Sequence, residues 1–326
     1  MKHTDITVIV CTYNRKEVLR RALGTLTDQE TGGEFSYEIV VIDDASSDGT
    51  SSVVAEASSR SRVPIRYLRV QAHGIAHARN TGIESTSGKW VAFFDDDQLA
   101  TAAWLRELYA VAVNTGASCV GGSRLLRLPP ADSPRLSTIC RALLGEMNLG
   151  DRPDKCGRKL APCTGNTLVR REVFRAVGSF DEATARGGED IEFMARLRKA
   201  GFEAWYAPRA VVHHLIPPYR LKEEYFHWVS LRVGDNFAYR DYTEWGLAWT
   251  VMACAARLGQ LALVNAPLLA WAYLVDDGAE VLGRRCLIWR ALAYARRTIN
   301  LLAPGLFPQE HFFARLEFRK ERVAFE

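Results

Sequence analysis

The chain has 326 residues, 48% hydrophobic and 25% charged, the balance of a folded globular protein long enough for a large core and an appended region. Its net charge of +4 is too small to argue for nucleic acid as a partner, and its seven cysteines show neither zinc-site nor disulfide-framework spacing, so they read as reduced thiols in the cytoplasm. No charged-then-apolar leader is expected, because a strand pattern begins at Ile6.

Residues 6–11 are β-branched and bounded, a first strand that breaks at Thr12-Tyr13-Asn14-Arg15. Over 16–29, Val18, Leu19, Ala22, Leu23 and Leu26 fall at helical spacing. A second strand, 37–42, ends in the loop Asp43-Asp44-Ala45-Ser46-Ser47-Asp48-Gly49-Thr50, whose side chains can cap the helix expected over 51–59. A third strand, 65–70, and a short helix opening after Gly74 lead to a fourth strand, 90–94. Strands alternating with helices predict a mostly parallel, doubly wound α/β sheet, a Rossmann-like nucleotide-binding half. The first turn carries neither Gly-x-Gly-x-x-Gly nor a Walker phosphate loop, so a nucleotide must be held by other groups. Asp44 could accept from a base or ribose and Arg79 could meet a phosphate, although each has a plain structural alternative, a turn residue and a surface cation.

The fourth strand, Trp90-Val91-Ala92-Phe93-Phe94, runs directly into Asp95-Asp96-Asp97. Apolar on both faces, it reads as a central strand, and its carboxyl end is where open α/β sheets bind ligands. Three adjacent anions need neutralising, and a hard divalent cation shared with substrate phosphates would do so; a solvated acidic loop is the alternative. Further on come a helix over 103–113, a strand over 117–122 and an irregular excursion, 126–162, containing Pro129, Pro130, Pro134, Pro153 and Pro162. Order resumes at 164–169, followed by a helix from Arg171 and the turn Gly178-Ser179-Phe180-Asp181-Glu182. In Arg186-Gly187-Gly188-Glu189-Asp190 the two acids open a helix whose buried face holds Ile191, Met194 and Leu197. The helix dipole there is expected to lower the pKa of Asp190. His213-His214 reads as a partly exposed loop pair.

In this order the pieces resemble the family 2 glycosyltransferases, whose catalytic domain has the GT-A fold. The resemblance runs from Ile6 to about Arg220 and rests on Val10-Cys11-Thr12-Tyr13-Asn14-Arg15, the loop from Val41 to Thr50, Ala78-Arg79-Asn80-Thr81-Gly82, Asp95-Asp96-Asp97, Gly178 to Glu182 and Gly188-Glu189-Asp190. It implies a catalytic domain over 1–220, with a nucleotide-sugar half over 1–100 and an acceptor half over 101–220. Thr12, Tyr13, Arg15 and Asp44 would grip the nucleotide. Asp95 and Asp97 would bind Mn2+ or Mg2+ on the donor diphosphate, Asp96 would face the sugar or ribose, and Asp190 would be the general base. The further metal-ligand histidine of some members matches His213 better than His214. One base and no obvious carboxylate nucleophile suit a single inverting displacement. The Gln-x-x-Arg-Trp element of processive members is absent, which implies one or a few sugars added per acceptor. A UDP-sugar donor leads, and the acceptor is a saccharide or lipid-linked hydroxyl. The alternatives are a catalytically silent nucleotide-sugar-binding protein and a nucleotidyltransferase.

Beyond the resemblance, 221–326 is expected to be helical. Between Trp245 and Val275 the only formal charge is Arg257. Three readings stand: helices lying in or dipping into the cytoplasmic membrane face, helices packed on the protein or on a second subunit of a homo-oligomer, and a true span, which Arg257, Gln260, Asn265 and Pro267 disfavour. The arginines from Arg284 to Arg297 favour the first, since cations beside an apolar segment attract anionic lipid.

Overall fold

The computed structural model describes residues 4–71, 74–129, 134–157, 162, 164–182, 188–304 and 306. Of the residues singled out in the sequence, Pro130, Arg186 and Gly187 lie outside that set. The chain divides into two compact units, one comprising Met1–Leu125 with Met147–Leu215, the other Leu126–Glu146 with the chain from Ile216 onward.

The first unit opens with β1 (Ile6–Thr12), α1 (Lys16–Thr27), β2 (Tyr37–Asp43), α2 (Thr50–Arg60), β3 (Ile65–Arg69), α3 (Ile75–Glu84) and β4 (Trp90–Asp95). A three-residue strand, β5 (Gln98–Ala100), follows, then α4 (Trp104–Thr115) and β6 (Cys119–Arg127). The first unit is completed by β7 (Asp154–Lys155), β8 (Asn166–Arg170), α6 (Arg171–Val177), α7 (Glu189–Lys199) and β9 (Ala204–Leu215), while α5 (Thr138–Leu143) belongs to the second. Among the described residues nine strands make one sheet in the order β3-β2-β1-β4-β8-β6-β9-β5, with β7 beside β9. The expected parallel pattern is confined to β3-β2-β1-β4. Beyond β4, β8 pairs antiparallel with both β4 and β6, and β9 runs antiparallel to β5 and β7, so the sheet is mixed.

Strand alternation divides the core in two. Ile6, Val8 and Val10 of β1 and Trp90, Ala92 and Phe94 of β4 face α1 and α4 through Leu19, Leu23, Leu26, Trp104 and Leu108. Ile9, Val91 and Phe93 face the other way, onto α3, α6 and α7 through Ala78, Phe174, Phe193 and Leu197. Covered on both sides, β1 and β4 are apolar along their length and stop being so where they reach the carboxyl edge.

The second unit has a small core of Cys140, Leu144, Ile216, Phe226 and Cys286. It contains α8 (Glu223–Gln260), a π-helical turn over Leu261–Asn265, α9 (Ala266–Leu274) and α10 (Gly278–Leu302). Gly246, at φ 81° and ψ 176°, bends α8 with a backbone that only glycine adopts readily. Before the bend, Glu223 pairs with Arg285 and His227 packs on Trp289, so this limb runs parallel to α10. After it, Arg257 lies over Tyr294 while Asn265 accepts from Arg284, so the second limb runs antiparallel to α10.

That second limb has inverted polarity. Thr250, Asn265 and Ala272 are buried on one stripe, whereas Trp249, Met252, Leu263, Trp271, Tyr273 and Leu274 are exposed, Leu263 and Leu274 by about 80%. Arg257, the lone charge, turns inward to Asp241 at 3.5 Å.

Candidate active site

The parallel strands deliver their ends to one edge. In register, Thr12 of β1 lies beside Asp43 of β2, and Cys11 beside Asp95 of β4. Thr12 donates to Asp96 at 2.8 Å, and Arg15 clasps Asp96 at 2.7 Å and Asp97 at 3.1 Å. Arg15, Asp96 and Asp97 are all buried, so the guanidinium supplies charge compensation for two of the three clustered carboxylates. Tyr13 is 46% exposed at the rim, its ring open to the solvent side of the same loop.

Asp44 accepts from the backbone N–H of Gly74 at 3.1 Å. The loop holding Tyr13 is stitched to the loop after β2: the Asn14 N–H donates to Ser46, the Asn14 side chain accepts from the Ser47 N–H, and Asp48 accepts from the Lys16 N–H at the start of α1. Asn14 takes a left-handed φ of 49° to do this. The sequence reading gave Ser46 and Asp48 a capping role for the following helix but passed over Asn14 and the tie between the two loops, although asparagine, serine and aspartate are the side chains such stitching to backbone uses.

Arg79 joins two separate motifs. On α3, it donates to Glu189 at 2.6 Å and stands 3.6 Å from Asp95. Burial opposes its charge, but Asp95 and Glu189 more than offset that and raise its pKa above the usual value. The structural alternative of a surface cation gives way to a buried tie between the acidic triplet and the start of α7. Its neighbour Asn80 pins the turn before α7, donating to the Phe180 carbonyl and to Glu182 and accepting from the Phe180 N–H, each at 2.9 Å. Gly82 lets α3 close on β1, since a methyl there would come within 2.7 Å of Ile9.

Asp190, in the first turn of α7, is half-buried and accepts from the Ile191 N–H at 2.8 Å. Its pKa is raised: burial and adjacent Glu189 outweigh Arg79, the backbone donor and Arg124. The sequence expectation, a pKa lowered by the helix dipole, is overturned because desolvation beside a second carboxylate is the larger effect. Asp95 is likewise raised, by burial against the opposing Arg79.

The histidine pair is not in a loop. It lies near the end of β9, where His213 is in register with Leu99 and His214 with Gln98, so the two rings point to opposite faces. His214 is the buried one, its Nε2 3.5 Å from Asp97. His214, not His213, therefore stands beside the acidic triplet. Gln98, fully buried, donates to Asp95 at 3.4 Å, and a methyl at Gly165 would come within 2.1 Å of the same carboxylate, so backbone closes tightly over Asp95. Among the described residues no group of three or more His, Cys, Asp or Glu side chains is gathered closely enough to enclose an ion. We expect His214→Ala to lower sugar transfer about tenfold or more and His213→Ala to leave it within about twofold, as initial rates at saturating donor will show.

The family model for Glycosyl transferase family 2 matches residues 7–178, the stretch holding the Thr12 loop, Arg79 and the acidic triplet. The chain belongs to glycosyltransferase family 2. As a member it performs nucleotide-sugar-dependent sugar transfer. Its relatives include glycosyltransferase AglE of Haloferax volcanii, 28% identical over 66% of this chain and 68% of that one. The succinoglycan biosynthesis protein ExoM of Rhizobium meliloti is 28% identical over 67% of this chain and 68% of its own. Among solved structures, the mannosyltransferase PcManGT from Pyrobaculum calidifontis, in complex with GDP-Man and Mn2+, aligns with a TM-score of 0.60 at 19% identity over 92% of this chain and 88% of that one. The fold is the GT-A fold with a helical C-terminal region.

Proposed function

We propose that this family 2 member is an inverting, non-processive transferase whose general base is Asp190. The observation that carries the reading is the Arg79 tie, which supports Asp95 and the Glu189-Asp190 pair acting at one edge. An acceptor hydroxyl must lose its proton as it attacks the anomeric carbon, and a carboxylate with raised pKa is a better base than an ordinary one once deprotonated. Glu189, engaged by Arg79, orients the turn. Thr12 and Arg15 hold Asp96 toward the donor, and Tyr13 and Asp44 line the nucleotide's approach.

Asp95, Asp97 and His214 suit a divalent cation, Mn2+ ahead of Mg2+ because one donor is imidazole. A cation completed by diphosphate oxygens needs only one or two protein carboxylates, which fits side chains that do not by themselves enclose an ion. When bound, it would stabilise the charge developing on the leaving diphosphate. Incubating the protein with nucleoside-diphosphate sugars, UDP-sugars first, and saccharide or lipid-linked acceptors, then weighing products by mass spectrometry, tests the reading. Release of nucleoside diphosphate with a single added sugar of inverted configuration is expected. Donor binding without turnover on any acceptor or water would instead support a silent binding protein.

The second limb of α8 and α9 support a membrane-face location for the chain and a lipid-linked acceptor. Glu223–Leu274 is long and apolar enough by composition to cross a membrane, but its apolar part begins after the Gly246 bend and is interrupted by Arg257, Gln260, Asn265 and Pro267. A helix apolar around most of its circumference, with Thr250, Arg257 and Asn265 turned inward and Gln260 facing out, suits lipid better than a single stripe of contact with a second subunit. We expect the protein to sediment with anionic vesicles and to be released by high salt with mild detergent. Leu263→Lys and Leu274→Lys, at exposed positions, should each reduce sedimentation severalfold. A monodisperse protein that ignores vesicles would sink this location.

A further inference from the structure

Around Phe237, in the limb of α8 before the bend, three guanidinium groups gather. The guanidinium carbons of Arg240, Arg290 and Arg257 lie 4.9, 5.9 and 6.0 Å from the ring centroid. One carboxylate faces them. Asp241, buried, accepts from Arg240 at 2.7 Å, stands 3.5 Å from Arg257 and accepts from the Tyr294 hydroxyl at 2.9 Å. Its capacity is taken by those three groups. Among the described residues no carboxylate or hydrogen-bond acceptor pairs with the Arg290 guanidinium, whose recorded contact is the Phe237 ring. Burial and neighbouring Arg257 lower its pKa, the mark of a cation held near like charge.

Cations so confined are stabilised by an anion that can accept several N–H donors at once, and the planar fork of arginine matches a phosphate group. We propose that Arg290, Arg257 and Arg240 form a binding site for a phosphate group, between α10 and the two limbs of α8. Exposed Tyr239, Tyr242, Trp245 and Trp249 cluster at the adjoining bend. Such aromatics settle at the headgroup level of a bilayer, which makes a phospholipid phosphate the expected source. The choice of source rests on the membrane location above; the phosphate site does not.

The test uses the intact protein, vesicles of phosphatidylcholine with and without phosphatidylglycerol, and inorganic phosphate. Wild type should prefer the anionic vesicles, and Arg290→Gln should cut that preference about fivefold while leaving unchanged the binding to phosphatidylcholine alone, whose phosphate is already neutralised by its own choline cation. Arg232→Gln removes the same charge from the first limb of α8, where Arg232 stacks on Trp228, and should leave the preference intact. Retained phosphatidylcholine binding shows that the variant is folded. Thermal unfolding with inorganic phosphate decides the source: stabilisation of wild type but not of Arg290→Gln, without a vesicle preference, assigns the site to soluble phosphate. Wild type that binds neither vesicle refutes the membrane location alone. Arg290→Gln behaving as wild type in both assays, or Arg232→Gln losing as much as Arg290→Gln, overturns the site.

Discussion

Asp190→Asn should lower turnover by about two to four orders of magnitude while leaving donor affinity nearly unchanged, because it keeps the side chain's shape and removes its basicity. Single-turnover rates beside donor titrations separate the two effects. The pH profile carries a second signature. A base works only when deprotonated, so activity should fall as pH drops through the pKa of Asp190, and burial beside Glu189 puts that limb above the ordinary carboxylate range. Glu189→Gln removes the neighbouring negative charge and should move the limb to lower pH. Arg79→Gln removes an opposing cation and should move it to higher pH. An Asp190→Asn enzyme with near wild-type turnover, or limbs moving in the opposite directions, would reject the assignment.

Asp97→Ala and Asp95→Ala should each reduce transfer by about two to three orders of magnitude, and unlike Asp190→Asn they should also weaken nucleoside diphosphate binding in the presence of Mn2+. The contrast is the informative part. Loss of Asp97 also removes one partner each from Arg15 and His214, so Asp97→Asn, which keeps the hydrogen-bonding shape, separates lost charge from lost packing. Isothermal titration of nucleoside diphosphate with and without Mn2+ reads the effect. Undiminished activity in excess chelator would remove the metal from the mechanism.

Much of the site was legible because its residues sit in contiguous motifs at strand ends. Thr12, Arg15, Asp96 and Asp97 lie within one hydrogen-bonded cluster, and Arg79 reaches both Asp95 and Glu189. The histidines were misassigned because strand alternation fixes a ring's side only once register is known. That register comes from β5, three residues long and too short to announce itself in a pattern. The Asp190 shift was misjudged because a sequence displays the helix start but not the desolvation around it. Strand direction beyond β4 escaped for a similar reason: apolar runs record burial, not polarity. In the tail, composition gave the apolar content of the second limb of α8, whereas only the burial of Thr250 and the contacts of Asn265 and Arg257 with α10 show which side is turned outward.

The Arg79 tie also bears on kinetic order. One guanidinium is held between Asp95, on the proposed donor side, and Glu189, the residue preceding the proposed base. Any change in the charge on Asp95 when a donor arrives alters the pull on Arg79, and through it the helix start that carries Asp190. We expect from this wiring a compulsory sequence, donor first and acceptor second, with the base brought to its working alignment by the bound donor, which product-inhibition kinetics will show. Such ordering would also limit wasteful attack by water on a donor that has no acceptor beside it.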